Sequence, residues 1–347
     1  PSGVWIMSYT NGLDNPELFF QCKIYTGNGS TNAITFDGSE NMQPDFIWIK
    51  DRGRNGYNHV LNDSVRGVTK YVRSNITNDE DNYTDAMTSF DSNGFTLGAD
   101  SQNGEHNVNS QSYVAWCWKE SPTAGFDIVA YSGTGNNATA NISHSLSAVP
   151  EFMWIKCRTS NKNNTNYHVS LGNTKSFYMD ETNAASTSYD YWADTTPTSS
   201  VFTVKDDGSY DEVNAASDQT FIAWLWSGKQ GFSKLGSYIG NGNDDGAFVY
   251  TGFRPAFVMT KRTDGISHWL MKDNKRDPFN VSDTLLVAND SDSESNWGTG
   301  RKIDFLSNGF KARSTSTGLN VSGSSYIYMA FAESPFVNSK GIPNNAR

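Results

Sequence analysis

The feature that most constrains the fold of this chain is a threefold internal repeat. Two kinds of segment recur in the same order, one rich in aromatic residues and one that begins with a proline. The aromatic segments are residues 113–118 (Tyr-Val-Ala-Trp-Cys-Trp), 221–226 (Phe-Ile-Ala-Trp-Leu-Trp) and 326–331 (Tyr-Ile-Tyr-Met-Ala-Phe). The proline segments begin at Pro44, Pro150 and Pro255, which are 106 and 105 residues apart. This period predicts a tandem of three related units, each large enough to be a domain.

The repeat also sets the expected boundaries of the units. We expect an N-terminal lead at residues 1–18, unit one at 19–122, unit two at 123–228, unit three at 229–336 and a polar tail at 337–347. The connectors between the units are short and rich in turn-forming residues.

Within each unit the pattern indicates short strands rather than helices. The proline segment of unit one continues as Phe-Ile-Trp-Ile, with apolar residues on both faces, which is typical of a fully buried strand. Asn93-Gly94 and Asn308-Gly309 lie between apolar runs and predict tight hairpins. We therefore expect an all-β protein of three tandem antiparallel β-sandwich, jelly-roll-like units.

Several motifs of unit one are informative as a set. They are Tyr-Thr-Gly-Asn-Gly at Tyr25, Pro-Asp-Phe-Ile-Trp-Ile-Lys at Pro44, Asp-Ser-Val-Arg-Gly at Asp63, Thr-Ser-Phe-Asp-Ser-Asn-Gly-Phe-Thr-Leu-Gly at Thr88 and the aromatic segment at Tyr113. Together they resemble a repeat of virion and tail-fibre-like proteins of tailed phages, especially phages of marine bacteria. The resemblance extends from about Phe19 to Phe336 and implies a structural or host-recognition protein of a phage particle. It implies no catalytic residues.

The composition disfavours some classes of partner. The net charge is −10 at pH 7 and the sequence pI is about 5.0, whereas a nucleic-acid-binding protein needs a basic face. The same charge disfavours docking to an anionic membrane, and no apolar stretch is long enough to predict a transmembrane helix. We therefore expect other virion proteins and a host surface glycan or protein as partners, with no nucleic acid and no membrane insertion.

The three cysteines, Cys22, Cys117 and Cys157, occupy different positions of the repeat and lack Cys-x-x-Cys spacing. Through the repeat Cys22 and Cys117 align with apolar residues, so we expect all three to be free buried thiols rather than disulfides or metal ligands. Each proline segment is followed by a single histidine, and we expect hydrogen-bonded structural roles for them rather than metal binding. These histidines are His59, His168 and His268.

One lysine position is also repeated, at the end of the strand that follows each proline. It holds Lys50, Lys156 and Lys261, and we expect these side chains to emerge into solvent. Three acidic loops offer clustered oxygens that could bind Ca²⁺, although none has EF-hand spacing. They are residues 78–81, 243–245 and 290–294. We expect solvated loops and no cofactor, with Ca²⁺ as the alternative.

Aromatic residues in the middle of the units are the candidate ligand-binding residues. They are Tyr189, Tyr191, Trp192 and Trp297, which lie where the three copies differ. An exposed aromatic face can pack on a sugar ring. A packing role is the alternative, because Tyr83 and Tyr189 both lie 39 residues after the proline of their unit.

The chain has no Gly-x-Ser-x-Gly elbow, no phosphate-binding loop and no carboxylate pair that the repeat singles out. We therefore expect a non-enzymatic protein of the virion surface, part of a tail fibre or similar appendage that recognises the host. The alternatives are a capsid decoration or head-fibre protein with an architectural role, and a glycan-degrading spike domain. We expect a homo-oligomer, with a trimer as the candidate state by analogy with fibres.

Overall fold

The computed structural model describes residues 13–135, 138–206, 208, 211–295 and 300–336. Over these residues the regular structure consists of 24 β-strands and one short 3₁₀ helix at Pro16–Leu18, and every strand pair is antiparallel. The expectation of an all-β protein is confirmed. In the described part of the chain, no helix is long and apolar enough to cross a membrane.

Unit one contains two sheets. Its strands are β1 (Phe20–Thr26), β2 (Asn32–Thr35), β3 (Phe46–Asp51), β4 (Val60–Asp63), β5 (Lys70–Arg73), β6 (Asp81–Asn82), β7 (Met87–Asp91), β8 (Gly94–Leu97) and β9 (Ser112–Trp118). The large sheet has the order β1-β9-β3-β4-β5-β6, and the small sheet has the order β2-β8-β7. Ser92 and Asn93 join β7 to β8 in a hairpin at the predicted place, and Gly94 is the first residue of β8.

Units two and three repeat this plan with fewer strands. Unit two contains β10 (Phe126–Ser132), β11 (Thr139–Ser143), β12 (Phe152–Cys157), β13 (Thr165–His168), β14 (Phe177–Tyr178), β15 (Val201–Lys205) and β16 (Thr220–Trp226). Unit three contains β17 (Ser233–Ile239), β18 (Phe248–Tyr250), β19 (Phe253–Arg262), β20 (Leu270–Asp273), β21 (Leu286–Val287), β22 (Ile303–Leu306), β23 (Gly309–Ala312) and β24 (Ser325–Pro335). The large sheets are β10-β16-β12-β13-β14 and β17-β24-β19-β20-β21, and the small ones are β11-β15 and β18-β23-β22.

Each large sheet is apolar on both faces because each face is covered. In unit one, Ile47 and Tyr113 face the small sheet of the same unit and pack with Phe95. The opposite faces of all three large sheets meet in one central core. Ring pairs that join different units there are Trp48–Trp154 at 5.0 Å, Trp118–Phe331 at 5.4 Å and Phe152–Trp269 at 6.4 Å between centroids. Aromatic side chains from both kinds of repeated segment therefore help to hold the three units together.

The repeated lysines close the three units into a ring. We call the contacts between units one and two the first seam, those between two and three the second seam, and those between three and one the third seam. Lys156 donates to the carbonyl of Thr77 (2.8 Å) across the first seam, Lys261 to Thr182 (2.9 Å) across the second, and Lys50 to Ser291 (3.3 Å) across the third. The three lysines are almost fully buried. The expectation that they emerge into solvent is therefore wrong, because a neighbouring unit covers the strand end.

The first seam carries a buried network of charged side chains. The Trp224 indole N–H donates to Asp63 (3.1 Å), and the same carboxylate accepts from Arg66 at 2.6 Å. Arg66 also contacts Glu80 (3.4 Å), which accepts from Arg158 at 2.9 and 3.0 Å. The network thus runs from the central core to the rim, and its charges are paired as buried charges must be.

The third seam repeats the network with equivalent residues. The Trp116 indole donates to Asp273 (3.0 Å), which accepts from Arg276 at 2.5 Å. Arg276 donates to Glu294 (3.0 Å), and Glu294 accepts from Arg52 at 2.7 and 3.0 Å.

The second seam has lost every charged member of this network. In register, Phe152 pairs with His168 where Phe46 and Phe257 pair with the two aspartates. Met329 takes the position of Trp116 and Trp224. It pairs with Met259 on the neighbouring strand, whereas each of the two tryptophans pairs with another tryptophan there. The remaining equivalents are Leu171, Ala185 and Thr263, and the backbone bond from Ala185 N to Thr263 O (3.0 Å) matches those at the other seams. A cavity of ≈ 400 Å³ lies at this seam, and Leu171, Ala185 and Thr263 help to line it.

Candidate functional site

The predicted aromatic residues have divergent environments. Tyr191 and Trp192 are buried in the core of unit two, where Tyr191 bonds to the Tyr178 hydroxyl (2.7 Å) and Trp192 donates to the Lys175 carbonyl (3.0 Å). This placement corrects the expectation for these two, because a fully covered ring offers no face to a ligand. Tyr189 is half-buried and stacks on Tyr191 at 5.2 Å. Trp297 lies outside the described residues.

The three histidines do not occupy one structural position. His59 Nδ1 accepts from the Trp48 indole at 2.9 Å, and Asn164 plays the same part for Trp154 in unit two. His168 instead takes the aspartate position of the second seam, where burial lowers its pKa to about 4. His268 lies beside Asn289 at 3.0 Å. Their similar sequence offsets therefore reflect loop lengths rather than a shared role.

The cysteines and the carboxylates of the acidic loops have structural environments in the fold. All three cysteines are free and buried, as expected. Glu80 and Glu294, which were expected in solvated loops, form the rim pairs of two seams, and Asp245 pairs with Lys311 and Arg313. Among the described residues, no group of three or more His, Cys, Asp or Glu side chains could hold a metal ion.

A polar groove of unit one is the strongest candidate site. It has a volume of ≈ 420 Å³ and lies at the end of β5, between the loops that follow β3, β5 and β8. Its floor is Arg73, which donates to Glu105 at 2.9 and 3.1 Å and also to Asp81. The volume falls within the range of about 300–1,000 Å³ that small-molecule sites occupy.

Two tyrosines form the sides of this groove. Tyr57 is half-buried, and the Arg54 guanidinium lies over its ring at 3.5 Å. Tyr83 is also half-buried, with its ring 5.7 Å from that of Tyr71. Both rings line the groove. A tyrosine held in this way presents an apolar face and a polar tip to a ligand.

Amide side chains complete the groove. Asn58 donates to Glu105 (2.7 Å) and accepts from Asn75 (2.7 Å), while Asn103 donates to the Tyr71 hydroxyl (2.6 Å). Amides offer both donors and acceptors, which is the inventory that hydroxyl-rich ligands require. The groove therefore combines the apolar faces of two tyrosine rings with hydrogen-bond donors and acceptors.

The charged groups on the floor of the groove are one buried guanidinium and the two carboxylates that accept from it. Burial opposes the charge of Arg73, but the adjacent Glu105 and Asp81 outweigh it and raise the pKa of Arg73 above its usual value. Because Arg73 is the donor to both carboxylates, the acids are engaged as acceptors on the floor. The arrangement is suited to holding a neutral polyhydroxyl ligand by hydrogen bonds.

The arginine that forms the floor of the groove is not repeated in the other two units. In register, Val60 pairs with Arg73, while the equivalent strand positions hold Tyr178 in unit two and Val287 in unit three. The repeat pattern did not single out Arg73, because this residue lies at the end of an ordinary Tyr-Val-Arg strand segment. The available signal was the position itself, which is charged in one copy and uncharged in the two others.

In a comparison with known protein families, a family model matches residues 15–335. The family is described as a domain of unknown function, DUF7483. The chain belongs to this family. The matched region covers all three units together, in keeping with a ring whose units share one core. A search of curated proteins finds no match.

Proposed function

We propose that this chain is a non-enzymatic recognition module of a phage particle, part of a tail fibre or similar appendage, and that it binds host-surface saccharide through the unit-one groove. The observation that carries the proposal is the groove itself, in which Tyr57 and Tyr83 flank a floor of Arg73 and Glu105. The phage setting is supported by the sequence resemblance. The closed ring supports a scaffolding role, since loops on a rigid β-framework are where binding residues commonly lie.

The groove also favours binding over hydrolysis. Glycoside hydrolysis requires a protonated carboxylic acid next to a second carboxylate. Glu105 and Asp81 instead both accept from the same guanidinium, so neither is placed as the proton donor. We therefore expect the purified chain to release no reducing ends from polysaccharide that it binds.

The test is a saccharide-binding assay with matched variants. The chain is screened on an array of bacterial surface saccharides, and the best ligand is titrated calorimetrically against Tyr57→Ala, Tyr83→Ala and, as the control, Tyr189→Ala. Loss of a stacking ring should weaken binding by about tenfold, which corresponds to about 1.4 kcal/mol. Tyr189→Ala should leave affinity unchanged, because Tyr189 lies in unit two. Absence of any bound saccharide at millimolar concentration, or equal affinity of all four proteins, would refute the proposal.

An architectural role in the particle is the second candidate, and it is favoured by apolar exposure in unit three. Phe279 is 78% exposed and Val281, two residues further along the chain, is 43% exposed, and neighbouring exposed apolar side chains are a feature of protein contacts. Antibody labelling of intact particles distinguishes the roles. Decoration is supported if the label lies on the capsid and if particles made with the Phe279→Ser variant lack the protein. Recognition is supported if the label lies on a fibre and if particles that carry the Tyr83→Ala variant fail to adsorb to the host.

A further inference from the structure

A second cavity, in unit three, differs in chemistry from the unit-one groove. It has a volume of ≈ 620 Å³ and lies between the connector that precedes unit three and strand β18. Its lining includes Lys229, Lys234, Tyr250 and, from unit two, Glu151. Two ammonium groups and one carboxylate thus contribute to this cavity, which leaves one excess positive charge in a protein whose net charge is −10.

An exposed tyrosine and a lysine are locked together at one side of this cavity. The Lys234 ammonium donates to the backbone carbonyl of Tyr250 at 2.8 Å and lies 5.2 Å from the centroid of the same tyrosine ring. Tyr250 is 53% exposed. The cation is therefore held beside a ring that remains open to a ligand, an arrangement that combines charge with an apolar face.

Neither residue is dictated by the fold. In register, Tyr250 pairs with Gly309 as Thr35 pairs with Gly94 in unit one. Likewise Lys234 takes the position of Gln21, one residue before the buried Leu235 and Cys22. The same sheet positions thus accept threonine and glutamine, so the tyrosine and lysine of unit three are dispensable for strand pairing.

The two ammonium groups of the cavity form no direct ion pair, although the Glu151 carboxylate lies near enough to Lys229 for the two charges to attract each other. Over the described residues, no carboxylate lies within 4.0 Å of Lys229 or Lys234. An ammonium has three N–H donors, and Lys234 gives one to the Tyr250 carbonyl. Burial lowers the pKa of Lys234, and a bound anion would offset that cost of desolvation.

We propose that this cavity binds an acidic saccharide, with the carboxylate of a uronic-acid-type residue on Lys234 and Lys229 and the C–H face of its ring on Tyr250. This inference rests on the proposed function only in taking a saccharide as the class of ligand. The cavity itself is separate from the unit-one groove. A carboxylate and an apolar sugar face are the two features that an ammonium beside an open tyrosine ring recognises together.

The test compares acidic and neutral oligosaccharides on the full chain. Trigalacturonate and maltotriose are titrated by calorimetry against the wild type, Lys234→Gln, Tyr250→Thr and the control Phe248→Ala. Phe248 lies on the same strand but does not line the cavity, and the two test variants carry residues that unit one already holds at these positions. We expect trigalacturonate to bind at least about tenfold more tightly than maltotriose, and each test variant to lose about tenfold in affinity.

Several outcomes would overturn the inference. Equal affinity for the two saccharides removes the role of charge, and unchanged affinity in Tyr250→Thr removes the role of the ring. Displacement of trigalacturonate by inorganic phosphate at equal concentration reduces the site to a general anion site. Tyr57→Ala separates this inference from the proposed function: it should leave trigalacturonate affinity intact. If no saccharide of either kind binds, both proposals fail, whereas saccharide binding that depends on Tyr57 alone refutes only this one.

Discussion

The second seam can be rebuilt to resemble the other two, and the outcome tests how the ring is held closed. The change is Ala185→Glu together with Thr263→Arg. The backbone is already in place, because the Ala185 N to Thr263 O bond of 3.0 Å matches the Glu80 N to Arg158 O bond of 2.9 Å at the first seam. Both positions line the ≈ 400 Å³ cavity, so the larger side chains have room.

The expected gain follows from the natural pair at the first seam. Arg158 contacts Glu80 through two bonds of 2.9 and 3.0 Å, and the side chains are 22% and 7% exposed. Two-point geometry and partial burial place the coupling at about 1 kcal/mol, the upper end for surface ion pairs. In a chain of 347 residues this would shift Tm by only about 1–2 °C, since unfolding entropy scales with length. Equilibrium denaturation is therefore the better measurement.

The assay is a double-mutant cycle by urea denaturation at pH 7. The wild type, the two single variants and the double variant give the coupling free energy between the two introduced side chains, and added salt should reduce it. The reverse cycle at the first seam, Glu80→Ala with Arg158→Thr, is the control. A coupling near zero at the second seam beside a favourable one at the first would show that matched backbones do not suffice, and would refute the reasoning.

Three further predictions concern the seams and their titrating groups. Asp63→Asn removes the charge of an acceptor shared by a buried indole and a buried guanidinium, so the free energy of unfolding should fall by about 3 kcal/mol. The control Asp37→Asn, at an exposed position, should change the free energy of unfolding by less than about 0.5 kcal/mol. Equal losses in the two variants would contradict the account of a buried network. Burial lowers the pKa of Lys261 to about 7 from its usual 10.5, so the unfolded chain binds more protons between these values and stability should rise with pH across that window; Lys261→Met should flatten the rise, and an unchanged slope in denaturation would contradict it. His168 has its pKa lowered by burial to about 4 from 6.5, so stability should fall as pH drops from 6.5 to 4; His168→Gln should remove part of that fall, and identical acid profiles would contradict a neutral buried imidazole.

Local patterns in the sequence predicted the strands and their environment well. Phe-Ile-Trp-Ile and the aromatic segments are apolar on both faces, and they form β3 and the central strands β9 and β16 as expected. A hairpin formed at the predicted place, with Ser92 and Asn93 between the strands and Gly94 at the first position of β8. Gly94 has φ of 117°, and a Cβ there would clash with the Ile34 carbonyl oxygen, so only glycine fits this position. These features depend on neighbours in the chain, so the sequence alone suffices for them.

The candidate site was beyond the reach of the same patterns. Tyr191 and Trp192 lie in a variable segment, but unit two folds that segment into its own core. Arg73, in contrast, belongs to a strand, and its partners Glu105 and Asp81 come from 32 and 8 residues away. Variation among copies marks where function can differ, but burial decides which varying side chains a ligand can reach.

The sequence by itself determined three β-units with two-faced apolar strands at a period of about 105 residues, because strand alternation and turn chemistry act locally. Tertiary structure decided what covers the second face of each large sheet. Trp48 and Trp154 meet only because the units close into a ring, and Lys50 and Lys261 are buried for the same reason. It also decided that His168 stands where two seams have aspartate, since that equivalence exists in strand register rather than in sequence spacing. Contacts between distant segments are set by how whole faces fit, and no local pattern carries that information.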